Sequence, residues 1–221
     1  MWEAILAPID PFNLRRFNYG NSDYDTRHYL SVNYVYKLPH KFGPSTLLGG
    51  WTVAGTVYAR SGLPFTVVDS NACSVLNGDN YGLSTTLSSV PAQVLGGGRS
   101  CTSQAANPAT PCLLASNFGS AATGFGEQRR NQFTGPRFFN SDFTISKSFA
   151  VPHWEGAHFG VGAQFFNIFN HPHFDQPDAD LASRTFGQII NPVASPTSIF
   201  GSFLGADASP RLVQLHATVT F

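Results

Sequence analysis

Charge is what this chain has least of. Only 12% of its 221 residues are charged, against about 25% in soluble globular domains. Acids and bases balance at 13 each, which removes nucleic acid and an acidic membrane surface from the partners expected. No run of about 18 apolar residues occurs, so a transmembrane helix is excluded. The opening MWEAILAPID lacks a basic start, carries Glu3 and is cut short by Pro8. It does not read as a secretion signal. Three cysteines, Cys73, Cys101 and Cys112, share one Gly/Ser/Thr/Pro-rich stretch without C-x-x-C spacing, which argues against a metal site. Cys101 and Cys112 are candidates for a disulfide closing a short loop in an oxidising compartment. Three free thiols are the alternative.

Aromatic residues, by contrast, reach 14%, with 20 Phe. Mean hydropathy is nonetheless close to zero, because Ser, Thr, Asn, Gln and Gly fill the remaining positions. The stretch from Pro210 to Phe221, PRLVQLHATVTF, shows how. Val213, Leu215, Ala217, Val219 and Phe221 alternate with Gln214, His216, Thr218 and Thr220. Successive side chains of a strand point to opposite faces, so this strand has one apolar and one polar surface. That is the pattern of an outer-membrane barrel strand, apolar to lipid and polar to the lumen.

The same period of two recurs over about His28 to Leu38, Trp51 to Arg60, Phe139 to Phe149 and Ala157 to Phe165. Phe65 to Val68 is expected to continue the second strand after a bulge. Residues 69–136 are low in periodicity and rich in Gly, Ser, Thr and Pro. A structureless loop of that length is out of place in a compact soluble domain, but suits an extracellular barrel loop. Connections alternate short and long, as they do in transmembrane barrels, whose long loops lie outside. The expected fold is therefore all-β: an antiparallel barrel segment of about five strands over residues 1–221, with long extracellular loops. Five strands cannot close a membrane barrel, and open edges are costly in lipid. The chain is thus expected to be part of a larger barrel and not to insert stably alone.

Aromatic placement adds a second argument, since amphipathic rings favour the two membrane interfaces. Tyr34, Tyr36, Trp51, Phe149, Trp154 and Phe221 are expected at the inner end, and Phe138, Phe139, Phe166 and Phe169 at the outer end. Lys147 falls on the lipid face near the inner interface. Asp142, Gln164, Gln214 and His216 are expected to face the lumen.

The blocks RRNQFTGPRFFNSDFTISKSF (Arg129–Phe149), FGVGAQFFNIFNHPHF (Phe159–Phe174), FGQI (Phe186–Ile189) and the closing PRLVQLHATVTF resemble the C-terminal end of TonB-dependent receptors. The segments Asp23–Pro39 and Leu47–Val67 are similar to the Oar-like group of that family. The resemblance covers most of the chain outside about residues 69–125. It implies a 22-stranded barrel with an internal plug that imports scarce solutes, driven by the inner-membrane TonB complex. The plug, the TonB box and most strands are not in this sequence. The alternating apolar residues ending on Val219 and Phe221 also resemble the signal read by the barrel-assembly machinery. The implied partners are outer-membrane lipid, that machinery, the remainder of the receptor with the TonB complex, and a solute the sequence does not specify. No nucleic acid and no cofactor are expected. The alternative is a secreted soluble β-sandwich that binds carbohydrate or mediates adhesion.

Other constellations are weaker. His171, His173 and Asp175 lack the spacing of a metal site. Asp142, Ser146 and His216 could be imagined as a hydrolase triad, but no G-x-S-x-G elbow accompanies them. Gly96–Gly98 is not followed by the Lys-Ser/Thr pair of a phosphate loop. No carboxylate pair suggests glycoside hydrolysis, and no enzyme activity is expected. Arg129 and Arg130 are either solvated or placed to hold an anion at the outer rim.

Overall fold

The computed structural model describes residues 15, 19–39, 49–71, 90–96, 101, 111–120, 126–193 and 211–221. Cys73, Gly97 and Gly98, and the turn-rich Asp10–Asn13, lie outside them. Two compact units emerge. One draws on Met1–Arg27, Ser61–Arg137 and Phe174–Pro192, the other on His28–Arg60, Phe138–His173 and Val193–Phe221.

The second unit is one five-stranded antiparallel sheet. Its strands are β1 (Tyr29–Lys37), β2 (Trp51–Arg60), β9 (Phe138–Ala150), β10 (His158–Phe166) and β11 (Leu212–Thr220), in the spatial order β1-β2-β9-β10-β11. Each is rich in β-branched and aromatic residues, which suit a pleated, half-covered surface. All four pairings are antiparallel and their registers are continuous. Residues 151–157 make a tight turn between β9 and β10, with Val151 N–H donating to Ala157 O at 2.9 Å. His153 (φ 74°) and Gly156 (φ 88°) supply its left-handed positions.

The register aligns the alternation of every strand. One row runs Tyr36–Val53–Ile145–Ala163–Leu215, apolar throughout. The next runs Lys37–Thr52–Ser146–Gly162–His216, polar throughout apart from its glycine. A one-residue slip in any strand would move its whole apolar set to the opposite face. Among the described residues the apolar side carries exposed side chains, with Leu215 78% exposed and Val219 56%.

Two glycines permit close cross-strand packing. The Tyr34 ring lies where a side chain on its partner Gly55 would stand, and the His216 imidazole does the same above Gly162. Either glycine also faces a neighbouring strand's carbonyl, Asp142 O or Ile145 O. Only the residue without a Cβ leaves room there.

The first unit has a core of its own. Phe65, Val67, Ala92, Cys101, Leu113, Phe118, Phe133 and Phe186 are buried together. Phe118 meets Phe133 and Phe186 edge to face, each at 5.5 Å. Three two-stranded ladders frame this core. β3 (Pro64–Phe65) pairs with β8 (Phe133–Thr134), β4 (Val68–Asp69) with β5 (Val90–Pro91), and β6 (Gln93–Val94) with β7 (Phe118–Gly119). The Gln128 carboxamide is fully buried and grips the Val67 backbone, donating to its carbonyl at 3.1 Å and accepting from its N–H at 2.8 Å. Cys101 and Cys112 form a disulfide with Cα atoms 5.7 Å apart.

Two expectations are corrected here. Phe65 to Val68 does not extend β2, because its ladders belong to separate small sheets. The described parts of residues 69–136 are not structureless either. Their strands are two residues long and have no period to read, and a hydrophobic cluster orders them.

Candidate functional site

The chemistry of the sheet concentrates on its polar face, at the end from which the long connections leave. Asn140 and Asp142 sit two apart on β9 and therefore on one face. Both are buried. Asp142 Oδ1 accepts from Asn140 Nδ2 and from the backbone N–H of Asn167, each at 2.9 Å. Its Oδ2 accepts from the Thr56 hydroxyl at 3.4 Å. Thr56 is the cross-strand partner of Asp142 on β2.

Just beyond β10, two asparagines turn the chain. Asn167 and Asn170 adopt φ of 49° and 51°, a conformation that Asn tolerates better than other residues with a Cβ. The Asn167 side chain closes the turn on both sides. Its Oδ1 accepts from His171 N–H and its Nδ2 donates to His171 O, both at 2.9 Å. The segment then returns His173 to the face it left. Its Nε2 lies 3.3 Å from Asn140 Oδ1, and its ring stacks on Phe138 at 4.3 Å. The Arg60 guanidinium carbon sits 5.2 Å from the centre of the same Phe138 ring. Burial first, then the neighbouring His171 and Arg60, hold the His173 imidazole down to about 4, against the pull of the Asp142 carboxylate. It is neutral at pH 7, and its buried Nδ1 has no hydrogen-bond partner.

The cluster is built to fix a loop, and the other proposed chemistries lack their geometry. Ser146 and His216 share a row, with Gly162 between them. Asp142 lies four residues back along β9, about 13 Å at strand rise. No proton relay joins the three. Among the described residues no three His, Cys, Asp or Glu side chains converge as metal ligands. Asp175 instead accepts from Gln176 N–H at 2.7 Å. In the other unit Arg130 pairs with Asp23 at 2.8 Å, so its guanidinium is engaged within the chain and is not simply solvated.

The remaining expected positions fall as follows. Gln164 and Gln214 are cross-strand partners on the polar face. Trp51 and Phe149 flank Lys147 on the apolar face, with Lys147 Nζ 5.6 and 5.0 Å from their ring centres. That lysine is only 6% exposed. Tyr36 is next to last in β1, and Trp154 is exposed in the tight turn. Tyr34 is the sixth of nine residues in β1 and covers Gly55. Phe139 is on the apolar face near the long-loop end. Phe166 is a correction, because it pairs with Leu212 in a polar-face row. Phe138 is a second, since it is buried on the polar face against His173. Both errors come from counting aromatics near strand ends without following the period of two. The loop-fixing roles of Asn140, Asn167 and His173 were missed. Asn-x-x-Asn-His after a strand, in FNIFNHPHF, is the signal that could have suggested them.

The profile of the outer membrane beta barrel domain family matches residues 3–214. No curated protein and no solved structure gives a significant match. The family match covers nearly the whole chain and gives its place as the bacterial outer membrane. With the bare apolar face, this overturns the alternative of a secreted soluble sandwich. A sandwich would have packed Phe159, Val219 and their neighbours against a second sheet.

Proposed function

We propose that this chain, which belongs to the outer membrane beta barrel domain family, forms barrel wall and outer loops of a TonB-dependent receptor of the Oar-like group, serving solute uptake. One observation carries the reading. The register stacks a mainly polar face and a mainly apolar face across five antiparallel strands, with Lys147 on the apolar side and Phe138, Phe166 and Leu212 on the polar side as exceptions. A wall of that kind separates lipid from an aqueous passage. The sequence blocks that resemble such receptors span both the strands and the segment carrying Asn167 and His173. The chain acts as wall and not as an enzyme, and it binds no cofactor. Its partners are lipid on the apolar face, the assembly machinery at Val219 and Phe221, and the rest of the receptor with the TonB complex. Alone it is inactive in transport, because an open sheet encloses no passage.

The test is solute depletion from the medium of the host, with and without the gene, in the presence and absence of a protonophore. The expected result is a set of solutes whose uptake is lost with the gene, restored by it, and abolished by the protonophore. Uptake that ignores the protonophore would make the barrel a passive pore, and uptake that ignores the gene would end the reading.

A further inference from the structure

Formal charge is sparse on the polar face of the sheet, and its distribution has a sign. Among the described strand residues that face holds Lys37 at one end, Arg60 at the other and the buried Asp142 between. The Asp142 carboxylate is already engaged by Asn140, Asn167 and Thr56. What remains to meet a solute is a set of uncharged polar groups, histidines and two cations. A wall of low dielectric that carries charge of one sign concentrates ions of the other.

Arg60 is the cation with a built surround. It ends β2 at the long-loop end, with Tyr29 of β1 and Phe138 of β9 as its cross-strand partners. Its guanidinium carbon lies 5.2 Å from the centre of the Phe138 ring, which is buried. That contact sets the planar group against an aromatic surface. Tyr58, two residues earlier in β2, projects from the same face. Its hydroxyl oxygen accepts from the Arg60 guanidinium and shares a hydrogen bond with the Tyr29 side chain. The two tyrosine rings meet edge to face at 5.1 Å, and Tyr58 meets Phe138 in the same way at 5.5 Å. Tyr29 is 61% exposed, so the group opens outward at its phenol end.

Two hydroxyls and a guanidinium with five N–H donors therefore gather at one point. The only acid on the same face of the strands is the engaged Asp142. A guanidinium presents paired N–H groups that match the two oxygens of a carboxylate or phosphate. A cationic solute is repelled there, and a neutral one gains nothing from the charge.

We infer that Arg60, Tyr58 and Tyr29 form a site for the anionic oxygen group, carboxylate or phosphate, of a solute that enters along the polar face. The inference rests on the proposed barrel role and names the class of solute which that role leaves open.

Arginine footprinting tests it, in isolated host outer membranes that hold the full chain. Phenylglyoxal modifies accessible arginines, and mass spectrometry measures the modified fraction at Arg60 and, as a control, at the exposed Arg211. Inorganic phosphate and benzoate are the anionic probes and glucose is the neutral one. At least one anion is expected to slow modification of Arg60 severalfold and leave Arg211 unchanged, while glucose slows neither. Tyr58→Phe keeps the ring and loses one hydroxyl, so half-protection should need about tenfold more of the protecting anion, the worth of a hydrogen bond to a charged group. No protection by either anion, equal protection at Arg211, equal protection by glucose, an unchanged half-protection in Tyr58→Phe, or an Arg60 that phenylglyoxal never reaches would overturn the inference. Protection at Arg60 without gene-dependent, protonophore-sensitive uptake would keep the site and end the receptor reading. Such uptake with Arg60 unprotected would do the reverse.

Discussion

Asp142 is the place to break the loop-fixing cluster. Replacing it with Ala removes the acceptor from two buried donors, Asn140 Nδ2–H and Asn167 N–H, each held at 2.9 Å. It also removes the weaker contact to the Thr56 hydroxyl at 3.4 Å. A buried donor left unsatisfied costs about 1–3 kcal/mol, toward the upper end when its lost partner was ionised. Two such donors put Asp142→Ala at about 4 kcal/mol. Asp142→Asn keeps one carbonyl oxygen for both donors and loses only the charge, so about 1–2 kcal/mol is expected. The readout is hydrogen exchange at the Asn167 amide, which donates to Asp142, and at the His171 amide, which donates to Asn167 Oδ1. With each 1.4 kcal/mol worth tenfold, Asp142→Ala should speed local opening by about a thousandfold and Asp142→Asn by about tenfold. Exchange in Asp142→Ala within threefold of the wild type would refute the account, and so would equal effects of the two substitutions.

Three further outcomes follow from the same physics. Gly162→Val should loosen the β10–β11 seam by about 1–3 kcal/mol, as overpacking does, because a Cβ there meets the His216 ring and lies 2.9 Å from Ile145 O. Faster exchange of β11 amides with unchanged β1 amides is the check. Breaking the Cys101–Cys112 link, which spans 11 residues, with paired serines should cost the loop unit about 3 kcal/mol of chain-entropy stabilisation, read as faster proteolysis between β3 and β8. His173 titrates near 4, below its ordinary 6.5. Above 6.5 both folded and unfolded chains hold it neutral. As pH falls from 6.5 toward 4 the unfolded chain takes up a proton that the folded one refuses, and stability declines. His173→Phe should flatten that part of the pH profile, measured by exchange at Asn167, and an unchanged slope would show that another group is responsible.

How much of this was legible depended on period. β1, β2, β9, β10 and β11 each keep a run of nine or more alternating residues. Their bounds, their facing and the alternation of short and long connections are legible in the sequence itself. The loop unit was opaque because its strands are two residues long, and its order comes from Phe65, Phe118, Phe133 and Phe186 meeting across distant sequence. Phe166 departs from the girdle expectation because its parity in β10 sets it on the polar face, although it ends the strand. The Asp142 cluster stayed hidden for another reason. On a polar face Asn and Asp are ordinary, and only the return of His171 and His173 after the Asn167 turn makes these two structural.

The two units satisfy burial by opposite means. The loop unit encloses its aromatics, grips the Val67 backbone with a buried Gln128 amide and closes a disulfide. These are the resources of a small fold stable in water. Among the described residues, the sheet leaves Phe159, Leu215, Val219 and Phe221 exposed on its apolar side. Side chains there pack across strands, as Tyr34 does over Gly55 and Lys147 between Trp51 and Phe149. A single layer with one face left bare gains too little in water to offset the ordering of five long strands. In lipid that exposed face is already in its preferred surroundings, and the remaining cost lies at the β1 and β11 edges, which no described strand pairs. The stability of the wall therefore turns on its seams and far less on its faces. Substitutions along the two edges should weaken it more than apolar exchanges at Phe159, Leu215 or Val219.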